Sequence, residues 1–312
     1  MTQRQYRRHR YCRPALRRKL AGVDTAAALI AENNAFADLL RDADRSAPVP
    51  TCPEWTLNQL MRHVGRGDRW AAQIVAEKST ESLDPRTVAG GKPPAGRDGE
   101  LGWLQDGARA LIAAVEKSGA QTPVWTFLGP RPASWWIRRR LHETIVHRAD
   151  VALALGAAFT IDPPTAADGI TEYLERVMIR AAENDPGWGG QALSDGQSLH
   201  LHATDAGLGT DGEWTIFGRA DGIGFEHGHA KATVALRGPA RDLLLAIVRR
   251  GSAADLGLEI FGDQPVWDTW LARPPFQTGT LSGHEHFGDR YRSCLPRRIK
   301  QCRRRHPGVT GE

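Results

Sequence analysis

Four segments within residues 24–155 place apolar side chains at helical spacing, and stretches rich in proline or glycine separate them. Such a periodic apolar face predicts an amphipathic helix, and proline cannot continue one. Four helices in a stretch of this length, joined by loops of moderate length, predict a four-helix bundle. The predicted helices occupy residues 24–44, a segment from 56 that ends before a loop at 84–99, and segments at about 100–118 and about 133–155.

Two of these helices carry local signals at one end. Thr56 and Gln59 match a capping box, in which each side chain satisfies the other residue's free backbone N–H group. Gly156 follows the last periodic residue of the fourth segment, and glycine commonly ends a helix because it tolerates a left-handed backbone. These signals set the start of the second helix and the end of the fourth.

The second half of the chain changes to a strand-and-turn pattern. After one more helical segment at 166–182, short alternating runs separated mostly by Gly or Asp predict strands, and two short helices follow. The predicted strands are 198–204, 213–219, 222–226, 231–237 and 258–261, and the predicted helices are 241–250 and 264–271. The expected fold class is therefore α plus α+β, with a helical bundle at 23–157 followed by a small α+β domain at 158–275.

The two ends of the chain differ in charge from the part between them. The net charge is +5, yet residues 1–20 carry +8 and residues 277–312 carry +5, so residues 21–276 carry −8. A nucleic-acid-binding fold more usually places positive charge on its folded surface. We therefore expect a basic disordered leader at 1–22, a basic disordered tail at 276–312 and no specific nucleic-acid partner.

The same sequence argues against export and membrane insertion. No apolar run approaches the roughly 20 residues that span a bilayer, and the first twenty residues lack the apolar centre of a secretory signal. Of the four cysteines, only Cys52 lies in the predicted folded part, where it cannot form an internal disulfide, and this fits a reducing compartment. We therefore expect a cytoplasmic protein with no membrane partner, whose metal ligands, if any, are histidines and carboxylates.

One pair of residues in the fourth predicted helix has the spacing of metal ligands. Glu143 and His147 are four residues apart, which places both side chains on one face of a helix, roughly 5–6 Å apart at Cβ. Arg140 and Asp150 continue this polar stripe, which would also suit a face turned to solvent. His142 is five residues from His147 and points away from the stripe, so it is not a candidate.

His63 is the candidate for a third ligand. It lies in the second predicted helix beside the apolar face, where a lone histidine more commonly bonds a nearby carbonyl group. In an up-down bundle, however, the middle of the second helix can face the middle of the fourth. Two imidazoles and one carboxylate suit zinc with an open fourth position, and they equally match the facial triad of non-haem iron. The ligand types alone leave the metal open.

Three motifs of the first domain and three of the second resemble those of the mycothiol-dependent maleylpyruvate isomerase family. The motifs are VPTCPEWT at 49–56, HVGR at 63–66, HETIVHRAD at 142–150, RGPA at 237–240, DLLL at 242–245 and GD at 262–263. The resemblance covers residues 23–273 and leaves out the basic ends. It implies a DinB-like, metal-binding four-helix bundle followed by a family-specific C-terminal domain.

The resemblance also implies a site and a cosubstrate. The family's His, Glu, His ligand set falls on His63, Glu143 and His147, and it implies one zinc ion per chain and the actinobacterial thiol mycothiol. An arginine of the family's second domain helps to hold the acidic substrate, and Arg237 is the candidate for that role here. No residue is assigned to the binding of mycothiol.

The expected function is therefore thiol chemistry at zinc, by isomerisation or sulfur transfer on a small, acidic electrophile. The expected partners are the thiol and this substrate, and the protein itself is expected to be a monomer or a weak homodimer. Two other functions fit the same residues. A metal-bound water would make the protein a hydrolase, whereas a metal fully ligated by protein would make it a non-catalytic binding module.

Overall fold

The computed structural model describes residues 23–182, 193–220 and 222–272, so the predicted leader and tail lie outside the described residues. The described chain forms an N-terminal helical domain and a C-terminal α+β domain, which confirms the predicted fold class. The N-terminal helices are α1 (Thr25–Leu40), α2 (Leu57–Ala76), α3 (Arg97–Ser118) and α4 (Ser134–Leu155). Helix α2 packs against α3, α1 packs against α4, and α2 also contacts α4.

The two predicted helix-end signals are present. The Thr56 backbone N–H donates to Gln59 Oε1 at 2.8 Å, and the Gln59 N–H donates to Thr56 Oγ1 at 3.3 Å, which completes the capping box of α2. Gly156 adopts a left-handed conformation with φ of 62° and ends α4. Helix α1 ends at Leu40, earlier than predicted, and residues 41–47 form bends and turns instead.

Two short antiparallel pairs join these helices. Strands β1 (Pro48–Val49) and β2 (Cys52–Thr56) lead into α2, and β3 (Pro123–Val124) and β4 (Arg131–Pro132) lead into α4. Strand β1 contacts α4. The proline-rich segment that ends α1 therefore returns the chain to the surface of α4, where Thr51 takes part in the site described below.

Helix α5 (Pro163–Ala182) opens the second domain, and a five-stranded sheet follows it. The sheet contains β5 (Ser198–Ala203), β6 (Glu213–Arg219), β7 (Gly222–His227), β8 (Val234–Gly238) and β9 (Glu259–Gly262), in the order β7-β6-β5-β8-β9. Strands β5 and β8 are parallel and the other pairs are antiparallel. Helices α6 (Ala240–Ile247) and α7 (Gln264–Ala272) complete the domain.

Apolar residues and histidines alternate along β5 and define its two faces. Leu199, Leu201 and Ala203 are buried in the apolar core, and α6 contacts both β5 and β8. Successive side chains of a strand point to opposite faces, so His200 and His202 lie on the other face of the sheet. The sequence had predicted this alternation, and the observed strand ends differ from the predicted ones by at most three residues.

Ion pairs and apolar packing join the two domains along α4 and α5. Arg138 donates to both Asp168 and Glu175, and His142 Nε2 lies 2.7 Å from Asp168 Oδ2. Buried apolar residues of α4, α5 and α6 belong to one continuous cluster. The second domain is therefore held against the same helix that carries Glu143 and His147.

The bonding of Cys52 and the apolar character of the helices bear on the expected compartment. Cys52 is buried and disulfide-bonded, while the other three cysteines lie outside the described residues. The expectation that Cys52 forms no disulfide within the predicted folded part therefore stays a prediction, and a disulfide-bonded Cys52 offers no thiolate to a metal. None of the helices in the described residues is both long and apolar enough to cross a bilayer. The cytoplasmic location stays a prediction.

Candidate metal centre

His63, Glu143 and His147 meet in the first domain, between α2 and α4. The Nε2 atom of His63 lies 3.2 Å from Glu143 Oε1, and the Nε2 atom of His147 lies 3.3 Å from the same oxygen. The candidate ligand atoms all lie within 4.8 Å of one another. These three residues are called the triad below. Helical spacing brings Glu143 and His147 together, and the contact between α2 and α4 brings His63 to them.

Asp150 fixes the orientation of His147. Its Oδ2 atom lies 2.8 Å from His147 Nδ1, so the other ring nitrogen, Nε2, faces the triad. Asp150 is fully buried, and Thr51 Oγ1 donates to it at 2.6 Å. A carboxylate bonded to the outer nitrogen of a histidine is the usual support of a metal-ligating imidazole, since it sets the ring orientation and the tautomer.

Arg250 of the second domain completes this support. It donates to both carboxylate oxygens of Asp150, from Nε at 2.8 Å and from Nη2 at 3.0 Å. Arg250 follows α6, which ends when Arg249 adopts a left-handed conformation with φ of 63°. This turn directs Arg250 towards α4. The second domain therefore reaches the triad through a chain of two contacts, from Arg250 to Asp150 and from Asp150 to His147.

Arg139 holds the other oxygen of Glu143. Its Nη2 atom donates to Glu143 Oε2 at 2.5 Å, and its Nη1 atom donates to Glu172 of α5 at 2.6 and 2.7 Å. Burial by itself raises the pKa of Glu143, but the charge of Arg139 and the hydrogen bonds from His147 and His63 outweigh it, so the pKa lies well below its usual range. Glu143 is therefore an ionised carboxylate with one oxygen turned to the two imidazoles.

The two imidazoles differ in their surroundings. Burial lowers the pKa of His63 to about 4, and its hydrogen bond to Glu143 only partly opposes this. Burial also lowers the pKa of His147, but hydrogen bonds to Asp150 and Glu143 outweigh it and leave the pKa raised. The ring of Trp55 lies over His63 with 4.9 Å between ring centroids. A neutral imidazole beside an ionised carboxylate is the protonation state that metal binding requires.

The polar stripe of α4 faces the neighbouring helix rather than solvent. Arg140 Nε donates to Asp68 Oδ1 of α2 at 2.7 Å, and Arg140 Nη2 donates to the carbonyl oxygen of Val64 at 3.0 Å. Asp150 is fully buried, and the Glu143 side chain is 14% exposed. The stripe therefore serves the α2–α4 interface, and the solvent-facing alternative does not hold.

The other two residues considered from the sequence lie elsewhere. His142 faces α5, where it pairs with Asp168, so its exclusion from the triad agrees with the structure. Arg237 lies on β8 with its side chain about half exposed, and its Nη1 atom donates to Glu259 Oε2 of β9 at 2.6 Å. Among the described residues, no hydrogen bond joins Arg237 to the triad. Its role in substrate binding stays a prediction.

Sequence reasoning did not find Arg250 or Thr51, and it used Asp150 only as part of a stripe. For Asp150, the signal was its position three residues after His147, where one helical turn brings the two side chains together. For Thr51 and Arg250 there was no local signal, because each reaches Asp150 across about a hundred residues of chain. These contacts depend on how the two domains pack.

A small cleft opens where α4, α5 and α6 meet, and Arg139 is one of the residues that line it. Its cavity volume is about 30 Å³, which is room for one or two water molecules. The lining side chains include Arg139, His142, Glu172, Tyr173, Arg176 and Leu244. Because Arg139 contacts Glu143 and also lines the cleft, the cleft lies next to the triad. It combines apolar walls with two arginines and one glutamate, and it is much smaller than the pockets that hold small molecules.

We expect Asp150→Asn to weaken metal binding at the triad about 10–100-fold, because loss of a supporting carboxylate typically costs that much affinity. The asparagine keeps the size of the side chain but can no longer accept from both His147 and Arg250 as a carboxylate does. Competition against a chromophoric zinc chelator would measure the zinc affinity. The triad is identified as the site whose binding is lost in His63→Ala. Asp106→Asn on α3, which changes an exposed aspartate, is the matched control. Equal affinity in Asp150→Asn and the control would contradict this role.

Two family models match the chain. The model described as the mycothiol maleylpyruvate isomerase N-terminal domain matches residues 26–152, and the model of the C-terminal domain of the same family matches residues 164–269. The first match includes all three residues of the triad. The two matched ranges also separate where α4 ends and α5 begins.

Individual relatives are more distant. Two uncharacterized proteins of Mycobacterium tuberculosis, Rv0738 and MT0763, are each 29% identical over 161 residues, which is 49% of this chain and 79% of the relative. The crystal structure of the mycothiol-dependent maleylpyruvate isomerase is 18% identical with a TM-score of 0.42, over 73% of this chain and 89% of that one. The structure of a histidine-to-alanine mutant of that enzyme is 17% identical with a TM-score of 0.43, over the same 73% of this chain and 89% of that one.

Proposed function

The chain belongs to the mycothiol-dependent maleylpyruvate isomerase family, and from this membership we propose that it is a zinc-dependent enzyme that uses mycothiol to isomerise a small, acidic, electrophilic substrate. Sulfur transfer to the same kind of substrate is the closest variant of this reaction. The observation that carries the proposal is the convergence of His63 Nε2, His147 Nε2 and Glu143 Oε1 on one point between α2 and α4.

The donor set fits zinc. Catalytic zinc sites typically combine three protein ligands of the His and carboxylate type with a fourth position left for water or substrate. Here two imidazoles and one ionised carboxylate supply three ligands. Asp150 bonds to the ring nitrogen of His147 that faces away from the triad, as carboxylates commonly do beside metal-ligating histidines. When bound, the zinc would supply an open position that favours the thiolate form of a thiol, which is the nucleophilic form.

The residues around the triad would then prepare the reaction. Arg139 keeps Glu143 ionised and holds it in place, while Asp150 keeps His147 in its ligating orientation. In the isomerisation, the thiolate sulfur forms a bond to one carbon of a cis double bond that is conjugated with a carbonyl group, and the π electrons of that double bond move to the carbonyl oxygen to give an enolate. The former double bond is then single and rotates, and the enolate electrons re-form it when the sulfur leaves. The sulfur–carbon bond then breaks, which restores the thiolate and leaves the trans double bond. The product has the same atoms as the substrate.

The substrate is proposed to approach the triad from the side of the cleft between the domains, which is itself too small to hold it. Arg139 and Arg176 line the cleft, and they would attract a substrate carboxylate towards the side of Glu143. Arg237, the arginine predicted from the sequence for this role, pairs instead with Glu259 on the exposed side of the sheet. We therefore propose that arginines of the cleft supply the positive charge for substrate binding.

Turnover with and without thiol tests the proposed function. We expect the zinc-loaded full chain to isomerise maleylpyruvate, or a related small cis-unsaturated acid, only when mycothiol is present. Omitting the thiol should remove the activity because the nucleophile is then missing. Activity that is equal with and without thiol would reject the proposal and favour metal-assisted hydrolysis. Binding of zinc with no turnover under either condition would favour a non-catalytic module.

A further inference from the structure

A second group of histidines and a carboxylate lies on the sheet of the C-terminal domain. His200 and His202 alternate along β5, so both side chains lie on one face of the strand. In the antiparallel pair of β5 and β6, Glu213 is directly opposite His202. His229 follows β7, and the Gly228 backbone N–H donates to the carbonyl oxygen of Glu213, which fixes His229 beside the group. These four residues are called the sheet cluster.

The nitrogens of the sheet cluster converge on a single carboxylate oxygen. Glu213 Oε2 lies 2.7 Å from His229 Nδ1, 3.0 Å from His200 Nε2 and 3.4 Å from His202 Nδ1. The candidate ligand atoms lie within 4.8 Å of one another. A carboxylate oxygen offers about two lone-pair positions, which two of these rings already use. A third imidazole nitrogen at this distance is therefore better explained as part of a ligand shell than as another hydrogen bond.

Burial is graded across the sheet cluster from the sheet to solvent. The exposed fraction of the side chain is 4% for His200, 20% for Glu213, 31% for His202 and 70% for His229. His200 is therefore held by packing, whereas His229 and His202 leave a path for an ion from solvent. The sheet cluster lies on the face of β5 opposite Leu199 and Leu201, which are buried in the core. The buried layer of the second domain separates the cluster from the triad.

We propose that the sheet cluster binds a second zinc ion, with a structural role. Three imidazoles and one carboxylate are the nitrogen and oxygen ligands that zinc takes, and four protein ligands fill a tetrahedral shell. This differs from the triad, whose three ligands leave a position open. The ion would tie β5, β6 and the turn after β7 together, and so hold the outer half of the sheet.

The proposal is tested by measuring the zinc content of full-length protein without a histidine tag, in the wild-type and the His63→Ala backgrounds. His202→Ala/His229→Ala removes two ligands whose side chains are partly or largely exposed, so the fold should survive, and circular dichroism would check it. We expect this double substitution to lower the zinc content by one equivalent per chain in the wild-type background. We expect the same loss of one equivalent in the His63→Ala background, which already lacks the triad.

Glu226→Gln is the matched control, because Glu226 lies on the neighbouring strand β7 and contributes no ligand atom to the sheet cluster. It should leave the zinc content unchanged. A chelator should lower the melting temperature of the His63→Ala protein, because it removes the proposed zinc of the sheet cluster. The same chelator should leave the melting temperature of the His63→Ala/His202→Ala/His229→Ala protein unchanged. A zinc content that does not fall on adding His202→Ala/His229→Ala, in either background, would overturn the proposal.

Discussion

Replacing His63 with alanine is expected to remove one equivalent of zinc per chain, together with all thiol-dependent turnover. The remaining ligands, Glu143 and His147, both come from α4, and two ligands do not meet the usual requirement of a catalytic zinc site for three. The alanine removes atoms from the α2–α4 interface without adding any, so the fold should survive. Elemental analysis after exhaustive dialysis measures the zinc, and circular dichroism checks the fold.

The adjacent histidine of α4 supplies a matched control for this loss. His142 neighbours Glu143 in sequence but pairs with Asp168 of α5. His142→Gln keeps a donor for Asp168, so we expect it to retain the zinc. Full zinc content in His63→Ala, or an equal loss of zinc in both variants, would show that the triad is not a metal site.

The second large effect is expected at the domain interface. Asp168 accepts from Arg138 Nε at 2.9 and 3.1 Å and lies 2.7 Å from His142, and its side chain is only 8% exposed. Removing one partner of a buried ion pair typically costs about 3–5 kcal/mol. Arg138 would keep its bond to Glu175, but both Arg138 and the buried His142 would lose their bonds to Asp168. We therefore expect Asp168→Ala to lower the free energy of unfolding by about this amount, measured by chemical denaturation.

An exposed ion pair on α3 provides the comparison. Asp106 pairs with Arg109 one turn away, and both side chains are more than half exposed. Pairs of this kind contribute about 0–1 kcal/mol, so Asp106→Ala should change the stability little. A loss of stability in Asp168→Ala that does not exceed that of Asp106→Ala would contradict the interface role.

The effect of Asp168 should also depend on pH. Burial by itself raises the pKa of Asp168, but the hydrogen bond from His142 and the charges of His142 and Arg138 outweigh it and hold the pKa well below its usual range. A depressed native pKa means that the stabilisation is present above the unfolded pKa of about 4 and is lost as the pH falls below it. The stability difference between wild type and Asp168→Ala should therefore narrow as the pH falls below about 4.

The secondary structure could be predicted because its signals are local. The capping box of Thr56 and Gln59 and the glycine at 156 are properties of neighbouring residues, and the structure contains both ends as expected. Alternation along residues 198–203 likewise fixed which side chains share a face. Helix α6 was predicted to reach residue 250, but it ends at Ile247. The reason is the left-handed conformation of Arg249, which the neighbouring sequence does not predict.

The residues of the candidate site likewise fall into those with a local sequence signal and those without one. Helical spacing on one helix predicted Glu143 and His147. The position of His63 depends on how a second helix packs, so the sequence predicted this ligand only through the family resemblance. Arg250 depends on how the two domains dock, and no local pattern contains that information. The sheet cluster had one local signal, the alternation of His200 and His202, but its carboxylate became evident only with the register that places Glu213 opposite His202.

We propose that the triad holds a metal with a position open to a thiol. The most direct measurement is the absorption spectrum of the cobalt-substituted full chain during titration with mycothiol. The account predicts a thiolate-to-cobalt charge-transfer band that saturates at one thiol per chain and is missing in His63→Ala, which still retains the sheet cluster. A spectrum that does not change on adding mycothiol, or a band of equal intensity in His63→Ala, would contradict it.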